Sequence, residues 1–313
     1  MINMKLLVTS DIHVDKEKSA SPTSLCNQIQ DYVAQNPSEE IIFAILGDVS
    51  QNLLTLHNFL ATFSSLEIPK LYVAGNHDIW SQKSLIDSPY KSLDSLEIYT
   101  SVLPEICKKT GFHYLDQEPF VTNRVGIIGN IGWYDFSFFS PVEPHVSKSL
   151  TFVRRSSNQQ FLWSEMRYED LASKQLWAND EHHNPIRICA WNDLFYIKWP
   201  KSMDDIDFCH MCYSTINQQF QEIDSSIDHL LFLSHYVLFE NCICRYSSYE
   251  KEFYNAYRGC KFLGDFVVMH PKLRKVLCGH THHPGIFKIS KNIEAINLFY
   301  ETNTPFKTVS MNF

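Results

Sequence analysis

Several things are missing from this 313-residue sequence. No stretch approaches the roughly 18–20 uninterrupted apolar residues that a membrane-spanning helix needs. There is no basic excess: 27 Lys and Arg stand against 35 Asp and Glu, a formal charge of −8. That argues against a protein that lives on the phosphate backbone of nucleic acid, though not against a small phosphorylated ligand. No internal repeat or low-complexity tract is present. The opening MINMKLLVTSDIHVD has one Lys, a short apolar run and no small-residue cleavage site, so no secretory leader and a cytoplasmic location are expected. The nine cysteines are odd in number and lack framework spacing, which predicts reduced thiols. Cys209-His-Met-Cys212 and Cys242-Ile-Cys244 have no second pair at zinc-finger spacing.

What is there is an ordinary globular composition, 44% apolar and 20% charged, long enough for one large or two modest domains. Met4–Thr9, Ile41–Leu46 and Lys70–Ala74 are short, continuous apolar runs bounded by turn residues, the pattern of buried strands. Ser24–Gln35 and Leu53–Leu66, between them, have helix length. This βαβαβ order implies parallel strands with right-handed crossovers. Val125–Ile131, Asp228–Ser234 and Arg274–Cys278 supply further strands. Gly285–Ser290 and Ile293–Leu298 fit a hairpin, and Phe306–Met311 a terminal strand. From 135 to 215 the rhythm is lost and aromatics concentrate; five of the six Trp lie in or beside this span. It reads as a mostly helical insertion or cap on a core formed by 1–134 and 216–313.

In open α/β sheets, ligands bind beyond the carboxyl ends of strands. Ser10-Asp11-Ile12-His13 follows the first strand, Gly47-Asp48-Val49-Ser50 the second and Gly75-Asn76-His77-Asp78 the third. Ser234-His235-Tyr236 and Gly279-His280-Thr281-His282-His283 follow two late ones. Five strand ends thus deliver Asp, Asn or His to one edge. Carboxylate and amide oxygens mixed with imidazoles suit Mn, Fe, Co, Ni or Zn better than an all-oxygen cage. Asp-x-His on an extended segment puts both side chains on one face, and His280 and His282 share that spacing. A two-metal centre needs a bridging carboxylate, and Asp48 ends the second of the first three strands.

DIH, GDV, GNHD, SH and GHTH, in this order, resemble the five blocks of the calcineurin-like metallophosphoesterase superfamily. The resemblance spans residues 11 to 282 but not the insertion. It implies a four-layer α/β/β/α sandwich of two facing mixed sheets and two divalent metal ions. Position by position it implies Asp11, His13, His282 and bridging Asp48 on one ion, with Asn76, His235, His280 and again Asp48 on the other. His77 matches the family's histidine that binds phosphate and assists the leaving group. The implied reaction is one-step hydrolysis of a small-molecule phosphomonoester or phosphodiester by a metal-bridging hydroxide.

The sequence departs from the family pattern at Gln51, where many relatives carry an acid that orients the catalytic histidine. Asp78 and Asp135 are the nearest acids that could replace it. The GD-x-x-D-R-G extension of the Ser/Thr protein phosphatases is also absent. In the insertion, Trp191, Asn192 and Asp193 combine an aromatic platform with polar groups and are expected to reach the pocket. Arg154-Arg155 could clamp a phosphate, and His283, beside the ligand pair, is expected in a supporting role. Alternatives are a nuclease or a lipid phosphoesterase of the superfamily, or a non-catalytic metal-binding scaffold for protein partners. The scaffold is disfavoured because all seven ligand positions and His77 are filled.

Overall fold

Two mixed sheets face each other through a seam of alternating apolar side chains. The structure, a computed structural model, describes residues 4–16, 21–82, 88–140, 151–154, 159–172, 176–179, 185–187, 191–301 and 304–311. The chain opens with β1 (Met4–Thr9), β2 (Glu40–Leu46), β3 (Lys70–Val73) and β4 (His113–Tyr114), all parallel. It continues with β5 (Phe120–Thr122) and β6 (Val125–Asn130), then four short strands, β7 (Thr151–Arg154), β8 (Gln159–Leu162), β9 (Leu176–Asn179) and β10 (Pro185–Arg187). Next come β11 (His229–Ser234), β12 (Leu273–Cys278), β13 (Gly285–Lys288), β14 (Glu294–Asn297) and β15 (Lys307–Ser310). The first sheet has the order β15-β1-β2-β3-β4, the second β13-β14-β12-β11-β6-β5.

Period-two burial explains the layers. Leu6, Val8, Ile42, Ala44, Leu71 and Val73 of the first sheet pack against Ile127, Leu231, Leu233, Leu277 and Ile296 of the second. The alternate residues, among them Leu7, Phe43, Ile45 and Tyr72, join the cluster that holds the buried faces of helices Pro22–Gln35, Leu53–Ala61 and Leu103–Thr110. On the second sheet Ile128, Phe232 and Val276 belong to the cluster with residues of helices Asp205–Ile223 and Lys261–Val267. Both sheets are therefore buried on both faces, which is why their strands read as unbroken apolar runs. The four-layer sandwich is as expected, including the Gly285–Lys288/Glu294–Asn297 hairpin and a terminal strand, β15, which the structure pairs antiparallel with β1.

The span from 135 to 215 differs from expectation. Beside its helical segments, its described residues include an antiparallel sheet that was not expected, in the order β10-β9-β7-β8. Before the long helix Asp205–Ile223, its α-helices are the single turns Tyr168–Leu171 and Asp193–Tyr196. Strands of three or four residues are too short for alternation to register; β8 buries only Phe161. Many of the aromatics are packing: Trp133, Phe152 and Trp163 are fully buried, and Trp133 and Trp199 both donate to Asp205 Oδ1 (3.0 and 2.9 Å).

Candidate metal centre

The five strand-end turns meet at one edge of the sandwich, three from the first sheet and two from the second. Three of the five share a backbone device. Asp11, His13, Asp48, His280 and His282 all have positive φ, between 46° and 63°, a region that non-glycine residues rarely occupy. The i, i+2 spacing of Asp11/His13 and His280/His282 therefore works through left-handed turns, not through the pleat of a strand. Asp11 N donates to Gly47 O (3.1 Å) and His13 N to Asp48 O (3.0 Å), tying the first turn to the second. A Cβ on Gly75 would lie 2.2 Å from Asp48 N, and one on Gly279 1.9 Å from Ser10 Oγ. The glycines of GNHD and GHTH are thus where two turns touch.

The side chains converge in three overlapping groups: Asp11, His13 and His282; His13, Asp48 and His77; Asp48, His235 and His280. Within each, the candidate ligand atoms all lie within 4.8 Å of one another. His282 Nε2 is 3.2 Å from Asp11 Oδ1. His235 Nε2 is 3.4 Å from Asp48 Oδ1, and His13 and His77 Nε2 are 3.7 and 3.9 Å from Asp48 Oδ2. Asn76 joins the third group, with its Oδ1 3.0 Å from His235 Nε2. Backbone carbonyls occupy the far nitrogens of two imidazoles: His235 Nδ1 faces Leu46 O (2.8 Å) and His280 Nε2 faces Tyr257 O (3.1 Å). Such outer contacts orient metal-ligating histidines.

The group fits divalent cations. His13 is 5% exposed, yet neither ring nitrogen has a hydrogen-bond partner; a buried imidazole left so is costly unless something binds it. The charge state also suits cations. Burial opposes the Asp11 charge, but the His282 hydrogen bond and the nearby His235 hold its carboxyl down at about 2. Asp48 is likewise held well below the usual range: burial works against it, and His235, His77 and His13 overcome that. Burial pushes His77 down to about 4 and also lowers His13 and His280. His235 goes the other way, to about 10, because Asp48 outweighs its burial. Ionised carboxylates beside mostly neutral imidazoles are the state that cation binding requires.

All seven expected ligands and His77 are therefore brought together, while the supporting residues divide. Asp78 does not face the His77 ring. Its oxygens accept from the amides of Asp48 (2.9 Å), Val49 (2.9 Å), Ser50 (3.2 Å) and Gly75 (2.8 Å) and from Tyr72 Oη (2.7 Å). It binds the GDVS turn to the GNHD turn, and burial beside Asp48 raises its carboxyl to about 7. Asp135 is also excluded as the orienting acid, since it accepts from Ser137 N (3.0 Å) and lines a separate cavity with Asp204, Cys209 and Phe262. The Gln51, Asn192 and His283 side chains are exposed and enter none of the ligand groups. The Arg154 side chain and Arg155 lie outside the described residues. Among the described residues the cysteines form no metal-ligating group, and eight are free thiols.

His77 is held by aromatic stacking instead of by an acid. Its ring lies on Trp80 (3.8 Å between centroids, 27°), and Trp80 lies on Tyr196 (4.5 Å, 18°). A 3-10 turn over His77–Ile79 places positions three apart one above the other, so the His77/Trp80 spacing was a readable signal. Trp191 stacks on Tyr257 (5.5 Å, 8°) and stands edge-on to His280 (5.6 Å). Asp193 is fully buried and accepts from Asn76 Nδ2 (2.8 Å), Trp80 Nε1 (2.7 Å), Trp191 Nε1 (2.6 Å) and Tyr236 Oη (2.9 Å). Burial pushes its carboxyl up to about 6 against those four donors. Arg258 donates to His280 O (3.2 Å) and lies 5.4 Å from the Trp191 ring; no sequence pattern marked it.

Comparison with known proteins agrees with this geometry. No curated protein sequence matches the chain significantly. Among solved structures, phosphopantetheinyl hydrolase from Mycobacterium tuberculosis superposes with a TM-score of 0.66 at 16% identity, over 99% of this chain and 97% of that one. A dimetal phosphatase from Danio rerio gives 0.48 at 12% identity, over 99% and 93%. The first of these shows a shared fold. A family model described as calcineurin-like phosphoesterase matches residues 4–284, a span that includes every ligand-bearing turn. That match settles the lineage: this chain belongs to the calcineurin-like phosphoesterase family and is a metal-dependent phosphoesterase.

Proposed function

We propose that the chain hydrolyses a small-molecule phosphomonoester or phosphodiester at a centre of two divalent cations bridged by Asp48. Asp11, His13 and His282 would hold one cation, and Asn76, His235 and His280 the other. The observation that carries this reading is the sharing of Asp48: one oxygen faces His235 and the other faces His13 and His77. The mixed oxygen and nitrogen donors favour Mn, Fe, Co, Ni or Zn. When bound, such a pair lowers the pKa of a coordinated water and screens phosphoryl charge.

The chain's own residues do the rest. His77 stands at the mouth, its side chain 19% exposed where that of Asp48 is 3%. Its imidazole, kept neutral by burial, offers an N–H to a phosphoryl or leaving-group oxygen. The Trp80 ring fixes its plane in place of an acid, so its role is positional and not that of a standing charge. Ser10, the serine beside Asp11, is fully buried with its hydroxyl shared between Asp11 Oδ2 (2.7 Å) and Leu46 O (2.8 Å), a structural contact and not an accessible nucleophile, which favours direct hydrolysis over a phosphoenzyme. In this reading 135–215 is a cap inserted into the 1–134 and 216–313 core, bringing Trp191 and Tyr196 to the rim and the buried Asp193 behind Asn76. Free thiols suit a reducing cytoplasm.

The test is chelation followed by readdition of Mn, Co, Ni, Zn or Mg, with generic aryl phosphomonoesters and phosphodiesters as substrates. Hydrolysis of at least one class, lost on chelation and restored by a transition metal, is expected. No hydrolysis of either with two cations verified per chain would overturn the reading in favour of a scaffold.

A further inference from the structure

We propose that Asp193, a residue of the insertion, is the positioning residue for the Asn76 side of the metal centre. The inference rests on the two-cation reading above. A carboxylate only accepts hydrogen bonds. By taking Asn76 Nδ2 at 2.8 Å it dictates which end of that amide faces inward, and the inward end, Oδ1, lies 3.0 Å from His235 Nε2. The same oxygen of Asp193 takes Trp80 Nε1 at 2.7 Å and so sets the plane on which His77 stacks. The other oxygen takes Trp191 Nε1 and Tyr236 Oη, whose rings lie 5.6 and 4.1 Å from that of His280. One buried carboxylate therefore fixes a candidate ligand directly and the walls behind two more histidines.

The arrangement is specific in a way that packing alone would not require. Four donors converge on two oxygens from the GNHD turn, the turn's own tryptophan, the insertion and the SHY turn. An amide in place of the carboxylate brings an NH₂ against at least one of those donors, and the amide's neutrality weakens the rest. Asp205 provides an internal contrast. It also joins two tryptophans, Trp133 and Trp199, through one oxygen, but neither touches a ligand of the site.

The experiment is calorimetric titration of the metal-free protein with Mn²⁺ or Co²⁺, without substrate. Wild type should take up two cations per chain. In Asp193→Asn one cation should bind about 10–100-fold more weakly, the usual cost of losing an outer contact to a ligand, while the other is unchanged. Asn76→Ala should weaken the same cation, and the double variant should add little, since both act through one bond. Trp199→Phe, which loses a comparable bond to Asp205, should leave both affinities as they are. Equal loss of both cations, or of neither, overturns the inference. Should Asp193→Asn fail to fold, Tyr236→Phe removes one donor and keeps the carboxylate. A selective loss of roughly threefold, the scale of one hydrogen bond, supports the proposal; no selective loss overturns it. Uptake of fewer than two cations by wild type overturns the underlying reading instead.

Discussion

The strand-end turns and the insertion solve opposite problems. Each turn is a few residues long, three of the five have a left-handed backbone at their ligands, and neighbouring turns meet so closely that Gly75 and Gly279 have no room for a Cβ. The insertion reaches the same site with large aromatic rings and one carboxylate, Asp193, at the end of four hydrogen bonds. Backbone geometry dictates residue type in the first region; side-chain packing, which tolerates many solutions, dictates it in the second. On the function proposed above, the turns would carry the chemistry and the 135–215 span would carry alignment.

The sharpest way to break that contrast is at Asp48. Asp48→Ala should abolish turnover and leave fewer than two bound cations by calorimetry; near-normal activity would remove the turns from the chemistry. His77→Ala comes next. It should keep both cations and lower turnover by about 10²–10⁴, the range for a positioned proton-transfer or hydrogen-bonding histidine, as steady-state kinetics would register. Crossing into the insertion, Tyr196→Ala removes the outer ring of the stack behind His77. Aromatic pairs contribute roughly 0.5–1.5 kcal/mol, so kcat should fall about 2–10-fold, with metal affinity unchanged. A loss as large as that of His77→Ala would make the insertion a partner in the chemistry. The smallest effect belongs to Gln51→Asp. Its side chain is exposed, and restoring the family's acid there should change turnover less than about twofold, as for most surface substitutions. A marked gain would show that an acid at this position can still reach His77.

The same contrast explains what could be read from sequence. Strands buried on both faces announce themselves as apolar runs, so β1, β2, β3, β11 and β12 lie within a residue of where MKLLVT, IIFAIL, KLYVA, DHLLFLS and RKVLC place them. The ligands were legible because each sits within four residues of a strand end. The insertion was not: β7 to β10 have three or four residues each, and a helical cap and a small sheet look alike at that length. Asp78 was legible as an acid near the site, but its contacts were not, because three of its five donors come from the GDVS turn and meet it only through the fold. Trp191 and Asp193 were visible as a polar-aromatic cluster, but their partners, from Asn76 to Tyr257, become neighbours only through the fold.

The division of the ligands between the two sheets has a mechanical consequence. No ladder among the described strands joins one sheet to the other; the seam between them is apolar, and apolar contact resists separation far better than it resists sliding. Directional bonds cross between the sheets at both ends: Thr122 donates to Glu40 (2.7 Å) at the far end, and at the mouth His235 from one sheet meets Leu46 O, Asn76 and Asp48 from the other. The site is therefore one of the pins that align the sandwich. A substitution deep in the seam, at Ile42 or Leu231, that lets the sheets shift by about an ångström would surface as lost turnover, because misplacement on that scale can cost about 10²-fold. Such a variant would look catalytic in every assay while touching nothing that reacts.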